Sequence, residues 1–233
     1  MKPSDIIDRA TFRTTFDEFD YVLSAEDILW LGVAAYGESH GNCDPDECAA
    51  MMWTWLNRFM LHARRPKVWP SVANLIKNHS QPVNPKWRRT GSFCKGKAQS
   101  GDCATSRLKW RDKMADLLNA GEIPDKIVPI LTDFVAGRIP EPAGGPWVDF
   151  ANNKVARNHG TRLYAKGNYY LNPEQVAASP LKTAFQPGTV AVLGVNTSNT
   201  GLVVLATGLL AVGAGLLAKY LSENPPTKKK KKN

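Results

Sequence analysis

The sequence predicts a mainly α-helical domain with long loops, followed by a single C-terminal transmembrane helix. In the first 135 residues, apolar side chains recur at three- and four-residue steps, the period of an amphipathic helix. Helix-capping residues precede several of these segments. Near the C-terminus, residues 201–218 carry no charged side chain. As a helix this stretch is about 27 Å long, which nearly spans a hydrocarbon core of roughly 30 Å.

Composition and charge exclude several classes of protein. The chain has 233 residues, 43% of them hydrophobic, and a net charge of +9. This excludes a wholly disordered chain, and the length suits one domain plus an appendage. Residues 219–233 contribute six Lys and one Glu to that charge. The rest of the chain is only mildly basic, so nucleic acid is not expected as a partner except through the Lys tail.

Two helices are predicted in the first part of the chain, after an N-terminal extension over residues 1–23. That extension has no apolar core of a secretory signal peptide. The capping-box-like sequence at 24–27 opens the globular domain, which we predict over residues 24–185. The first helix covers residues 28–36 and stops at the glycine-flanked turn 37–41. Asp44 is the expected N-cap of the second helix, with Pro45 at its first position and Glu47 as box partner.

The remaining elements are predicted in chain order. Helices are expected over residues 71–78, 105–119 and 125–135, whereas residues 140–170, rich in Gly, Pro and Asn, are expected to be mostly loop. A polar linker over 186–200 leads to the transmembrane helix over 201–221 and the Lys-rich tail over 222–233. Thr207, Ala211 and Gly215 form a face of small residues that suits pairing with a second copy, a homo-oligomer.

The four cysteines do not predict a metal site. No CxxC spacing is present and there are only four His, so we expect neither a metal nor a cofactor. Cys94 and Cys103 bracket a short flexible loop and are candidates for a disulfide, with two reduced thiols as the alternative. A Cys43–Cys48 pair is less supported, since Cys48 falls on the apolar face of the second helix.

Glu38 is the candidate catalytic residue. The chain lacks a phosphate-binding glycine loop, a GxSxG elbow and an HExxH motif. A carboxyl at the end of an apolar helix is half sheltered, and desolvation raises its pKa. Such a group can protonate the leaving oxygen of a glycosidic bond. The alternative is that Glu38 is a solvated turn residue.

Four segments together resemble the SleB-like cell-wall hydrolase family. They are Tyr36-Gly-Glu-Ser-His-Gly41, Trp53-Thr-Trp-Leu-Asn-Arg58, Trp69-Pro-Ser-Val and Ser80-Gln-Pro-Val-Asn-Pro85. The resemblance covers roughly residues 24–175. It implies a lysozyme-like helical fold and cleavage of peptidoglycan glycan strands, often as a lytic transglycosylase. Glu38 would be the general acid and then the general base.

The resemblance also implies roles for other residues. Ser39, Ser80 and Gln81 are candidates for binding substrate, with a plain turn residue as the alternative for Ser39. Tyr169 and Tyr170 are candidates for stacking on a sugar ring, with packing as the alternative. Asn57 and Arg58 resemble a structural pair of the family and are expected outside the cleft. In a transglycosylase the muramic acid's own C6 hydroxyl attacks, so that one carboxylate suffices. No second carboxylate stands out in the sequence, which favours this mechanism over hydrolysis.

The expected location follows from the C-terminal segments. The Lys tail would stay cytoplasmic and the domain would face the cell wall, anchored in the bilayer by residues 201–221. Because no signal peptide is predicted, we expect a bacteriophage virion-associated protein that acts during genome entry or lysis, with other virion membrane proteins as further partners. The alternative is a non-catalytic glycan-binding or structural protein of a membrane or virion.

Overall fold

The fold is mainly helical, as predicted. The computed structural model describes residues 1–6, 11–12, 21–62, 69–164 and 167–179, with seven α-helices and five short strands in this part of the chain. The helices are α1 (Ala25–Glu38), α2 (Pro45–His62), α3 (Val72–His79), α4 (Thr105–Ala120), α5 (Val128–Val135), α6 (Lys154–His159) and α7 (Pro173–Ala178). The strands are β1 (Thr11–Phe12), β2 (Tyr21–Val22), β3 (Asp149–Ala151), β4 (Thr161–Arg162) and β5 (Tyr169–Leu171).

Helix α1 is the centre of the core. It contacts α2, α3, α4 and α5, and Ile28, Leu31 and Val33 are fully buried. Gly32 permits the close approach of α5, since a Cβ there would lie 2.8 Å from a methyl carbon of Leu131. The helix that carries the candidate acid is therefore held on most sides by other helices.

The N-terminus of α1 is closed by the capping box predicted at residues 24–27. The amide of Asp27 donates to the hydroxyl of Ser24 over 3.1 Å, and the Asp27 carboxylate accepts from the Ser24 amide over 3.0 Å. That carboxylate is fully buried and also accepts from the amide of Ala73 in α3 over 2.8 Å and the hydroxyl of Tyr21 over 2.8 Å. One side chain thus caps α1 and fixes α3 beside it.

The C-terminus of α1 extends to Glu38, two residues beyond the predicted end. The missing side chain of Gly37 lets the 81–84 turn pack closely on the end of α1, since a Cβ there would lie 2.7 Å from the Cβ of Pro82. After Glu38 the chain reverses through His40 and Gly41, both at positive φ. Helix α2 then begins at Pro45. Its N-cap is Asp44, as predicted, and the Asp44 carboxylate accepts from the Glu47 amide over 3.1 Å.

The other predicted helices are present with small shifts. Ser71 is the N-cap of α3, and Gly121, in the left-handed conformation, ends α4. Helix α5 starts at Val128 rather than at residue 125, because residues 125–127 form a turn in which the Ile127 amide donates to the carbonyl of Pro124.

The prediction of loop over residues 140–170 is wrong in part. Strands β3, β5 and β4, in that order, form a small antiparallel sheet, and α6 lies between β3 and β4 in the chain. Tyr170 pairs with Phe150 and Thr161 at its centre. Strands of two or three residues are too short to show an alternating pattern, so periodicity does not detect them.

The remaining predictions concern the cysteines and the C-terminal segments. The predicted disulfide Cys94–Cys103 is present, whereas Cys43 and Cys48 are free and buried. The linker, the transmembrane helix and the Lys-rich tail predicted over 186–233 lie outside the described residues. Among the helices that are described, none combines the length and the apolar character needed to cross a bilayer.

Candidate active site

Glu38 lies where two cavities meet. Cavity A has a volume of about 440 Å³ and is lined by Glu38 and Gln81 together with residues of α2 and the segment around β3. Cavity B has a volume of about 460 Å³ and is lined by Glu38 and Gln81 together with residues of α4. The carboxyl of Glu38 therefore borders open space on two sides, while its helix is buried.

The environment of Glu38 favours its neutral form relative to an ordinary glutamate. Burial raises the pKa of Glu38 to about 7, and three groups oppose that rise: the Ser80 hydroxyl, the Gln81 backbone amide and the positive charge of Arg111. The partial negative charge at the C-terminus of α1 also disfavours an anion. Within the described residues, no carboxylate is among the groups that act on this pKa.

Ser80 orients the Glu38 carboxyl. Its hydroxyl donates to Oε1 of Glu38 over 2.9 Å, and Ser80 is only 1% exposed. Ser80 is also the C-cap of α3, where its amide donates to the carbonyl of Ile76 over 2.8 Å. The turn that follows is closed by Asn84, whose side chain donates to the carbonyl of Asn78 over 2.9 Å. Ser80 thus holds the Glu38 carboxyl in place from the protein interior and does not line either cavity.

Cavity A has a polar wall opposite Glu38. Among its lining residues are Trp55 and Arg58 of α2, Asp149 of β3 and Asn152. Arg58 donates to Asp149 over 3.2 Å, and the side chains of the pair are 8% and 21% exposed. Burial raises the pKa of Asp149, and the charge of Arg58 opposes this. The prediction that placed Arg58 outside the cleft is wrong, because the α2 face bearing it turns toward β3.

Cavity B has an aromatic and basic wall. Trp110, Arg107 and Arg111 of α4 line it, with the exposed His40 at its edge. The indole nitrogen of Trp110 donates to the carbonyl of Gly37 over 2.9 Å, which ties α4 to the residue before Glu38. The buried Arg111 donates to the carbonyl of Asp102 over 2.7 Å.

The disulfide loop closes one end of the cleft. Asp102, next to the Cys94–Cys103 disulfide, lines cavity A and forms an ion pair with Arg107, which lines both cavities. Arg111 also reaches this loop, with its guanidinium 3.9 Å from the Cys94 sulfur. The loop is therefore held to the α4 wall and contributes Asp102 to the lining of cavity A.

Of the other predicted substrate-binding residues, Gln81 lines the cavities and the remaining three do not. Gln81 borders both cavities. Ser39 belongs to the turn after α1: its hydroxyl donates to the carbonyl of Tyr36 over 3.1 Å and accepts from the Cys43 amide over 3.3 Å. It is not among the residues that line either cavity.

Tyr170 is buried, which corrects the expectation that its ring stacks on a sugar. The ring is fully buried against Trp147 and Phe150, and its hydroxyl donates to the carbonyl of Glu47 over 3.4 Å, so it has no surface on which a sugar could stack. Tyr169 is half-buried under the guanidinium of Arg162, 5.6 Å from the ring centroid, and it also lies away from both cavities.

Sequence reasoning missed the α4 wall. Arg107, Trp110 and Arg111 have i, i+3, i+4 spacing and therefore share one helix face, which is the signal that could have found them. Asp149 and Asn152 carried no comparable signal, because they reach the cleft only through the small sheet. Among the described side chains, no group of three or more His, Cys, Asp or Glu could hold a metal ion.

Comparison of the chain with protein-family models, with curated proteins and with solved structures gives no match.

Proposed function

We propose that this protein is a peptidoglycan-degrading lytic enzyme that cleaves the β-1,4 bond between N-acetylmuramic acid and N-acetylglucosamine, with Glu38 as its acid–base residue. The observation that carries the proposal is the position of Glu38, which lines both open cavities and whose pKa burial raises to about 7. The lysozyme-like fold implied by the sequence resemblance is part of the proposal.

A cleft that continues on both sides of the acid suits a polymer. Glycosidic cleavage requires sugar units on either side of the broken bond, with the proton donor beside the bridging oxygen. Cavities A and B provide space on the two sides of Glu38. Gln81, which lines both cavities, would donate hydrogen bonds to the sugars next to that bond.

The proposed reaction needs one carboxyl group. The Glu38 proton passes to the bridging oxygen as the bond from that oxygen to C1 of the muramic acid breaks. The C6 hydroxyl of the same muramic acid then attacks C1, and its proton passes to the Glu38 carboxylate, giving a 1,6-anhydro end and restoring the acid. Asp102 and Asp149 also line cavity A, but each forms an ion pair with an arginine. This pairing favours the one-carboxylate transglycosylase mechanism over hydrolysis.

The proposed location is the wall-facing side of a membrane. Residues 201–221 would anchor the protein in the bilayer, in the membrane of a bacteriophage particle or of its host. Protease treatment of intact membranes holding an N-terminally tagged chain tests the orientation. Loss of the tag from the outside supports the proposed topology, and full protection contradicts it.

Digestion of purified murein sacculi by the full-length protein tests the activity. We expect wild-type protein to release soluble glycan fragments and Glu38→Gln to release none. Glu26→Gln, an exposed position on the same helix, is the matched control and should act like wild type. Binding to sacculi without release by wild type would favour the non-catalytic alternative.

A further inference from the structure

Cavity B has an excess of positive charge. Arg107 and Arg111 both line it, and Glu38 is the carboxyl in its lining. The acidic residue beside the two arginines is Asp102, which forms an ion pair with Arg107 and whose charge also acts on Arg111. Two guanidinium groups therefore share one carboxylate, and Glu38 adds no full negative charge while it is protonated.

Arg111 is a fixed source of this charge. It is 3% exposed, and it donates to the backbone carbonyls of Trp87 and Asp102 over 2.8 and 2.7 Å. Neutral carbonyl groups hold the guanidinium in place without cancelling its charge. Because the group is largely removed from water, its field at the cavity is screened less than that of a surface arginine.

Cavity A is electrostatically different. Its arginines are Arg58, paired with Asp149, and Arg107, paired with Asp102, and both acids line the same cavity. Much of the remaining lining is amide: Asn152, Asn153 and Asn168. Balanced ion pairs and amides suit a neutral sugar with an N-acetyl group, whereas cavity B suits an anion.

Trp110 adds a flat surface to cavity B. Its orientation is fixed by the hydrogen bond from its indole nitrogen to Gly37 and by packing against Tyr36, with ring centroids 5.4 Å apart. The ammonium of Lys113 lies 5.4 Å from its ring centroid and adds positive charge at the same wall. A held aromatic ring beside cationic groups can support the apolar face of a sugar that carries an acid.

We infer that cavity B is the subsite for a sugar bearing a carboxylate, with Trp110 supporting the ring, Arg107 binding the anion and the buried Arg111 attracting it through its charge. The inference rests on the proposed function and adds a preference to it: acid-substituted glycans over neutral glycans of the same linkage. In peptidoglycan the carboxylate is carried by the lactyl ether of muramic acid, either directly or through the attached stem peptide.

The test measures binding rather than cleavage. Full-length Glu38→Gln protein is titrated calorimetrically with three oligosaccharides of equal length: a neutral β-1,4-linked N-acetylglucosamine chain, a muramic-acid glycan with free lactyl carboxylates, and the same glycan with stem peptides. We expect at least one acidic glycan to bind about tenfold more tightly than the neutral chain at low salt. The acidic glycan that shows the preference identifies which carboxylate is bound.

Arg107 provides the decisive variant because its side chain is 50% exposed and its replacement should not prevent folding. Adding Arg107→Gln to Glu38→Gln should reduce the preference to about twofold or less, since Asp102 is then left to repel the anion. Arg138→Gln is the matched control: Arg138 also forms an exposed ion pair, with Asp133, but it lies outside both cavities, and the preference should persist.

Equal affinity for all three glycans, no measurable binding, or a preference unaffected by Arg107→Gln would overturn the inference. These outcomes are separable from failure of the proposed function, which is judged by wild-type digestion of sacculi. Digestion without a charge preference would leave the enzyme and remove this subsite. A preference without digestion would leave an acidic-glycan binding site and remove the enzyme.

Discussion

The hydroxyl of Ser80 donates a hydrogen bond to Oε1 of Glu38 over 2.9 Å, joining the C-cap of α3 to the last residue of α1. This contact holds one carboxyl oxygen against the protein and leaves the group at the junction of the two cavities. The hydrogen bond from Ser80 stabilises the ionised form of Glu38, yet burial still raises the pKa of Glu38 to about 7. Ser80 therefore both positions the acid and lowers its pKa, while the surrounding core raises that pKa by a larger amount.

Replacing Ser80 by Ala should change the pH dependence of cleavage. The Ser80 hydrogen bond lowers the pKa of Glu38, so its loss should move the alkaline limb of the pH–rate profile to higher pH. The maximal rate should fall several-fold because the carboxyl is no longer oriented. Rates of sacculus digestion between pH 5 and 9 provide the measurement, with the exposed Ser92→Ala as control. A limb that moves to lower pH would contradict this role of Ser80.

Glu38→Gln should stabilise the protein at alkaline pH. The folded-state pKa of Glu38, about 7, lies above its ordinary value of 4.5. The contribution of the protonated carboxyl is therefore fully present below pH 4.5 and is lost as pH rises through about 7. Relative to wild type, the variant should unfold with an equal free energy at pH 4 and with a free energy larger by at most ~3 kcal/mol at pH 8.

Urea unfolding at a series of pH values measures this difference, and Glu26→Gln reports any general effect of replacing a glutamate on α1. A wild-type advantage that grows with pH would show that the buried carboxylate is stabilising, contrary to the account.

Removing Asp149 should destabilise the fold. Arg58 is almost fully buried beside it, so Asp149→Ala leaves a buried cation without its counterion, at a cost of about 3 kcal/mol. Asp133→Ala is the control, since Asp133 and Arg138 form an exposed pair, and it should cost less than about 1 kcal/mol. Chemical denaturation of both variants makes the comparison. Equal costs would mean that the Arg58–Asp149 pair is not a buried support of cavity A.

The disulfide should matter for both stability and activity. Cys94 and Cys103 are nine residues apart, so their bond should contribute roughly 2–3 kcal/mol by restricting the unfolded chain. The variant with both cysteines replaced by Ser should lose this amount and become insensitive to reductant. Its activity should also fall, because the loop no longer holds the Asp102 carbonyl against Arg111.

Thiol counting provides the direct check on this assignment. Denatured protein should show two reactive thiols, Cys43 and Cys48, before reduction and four after it. Four thiols in protein purified without reductant would contradict the disulfide.

Local signals predicted the main helices and the position of Glu38. The hydrogen bonds of the Ser24–Asp27 box and of the Asp44 cap join residues three positions apart. Such local contacts can be predicted from the sequence alone. The end of α1 was harder, because Gly37 suggested a stop, whereas in the structure it is a helical residue on which Pro82 packs closely. That contact joins segments 45 residues apart in the chain and has no local signature.

The walls of the cleft depended on distant contacts. Asp149 faces Arg58 from a strand of three residues, and no periodic pattern marks so short an element. The aromatic side chain of Tyr170 suggests stacking on a sugar, yet the same sheet buries this side chain against Trp147. An aromatic residue near the end of a domain is equally suited to packing or to binding, and only the tertiary fold distinguishes them.

Mass spectrometry of the products from murein sacculi shows whether Glu38 donates the proton in glycan cleavage. Wild-type protein should generate muropeptides with new 1,6-anhydro glycan ends, and Glu38→Gln should generate none. New ends in equal amount with Glu38→Gln, or free peptides from intact glycan strands, would contradict the assignment of Glu38 as the proton donor in glycan cleavage.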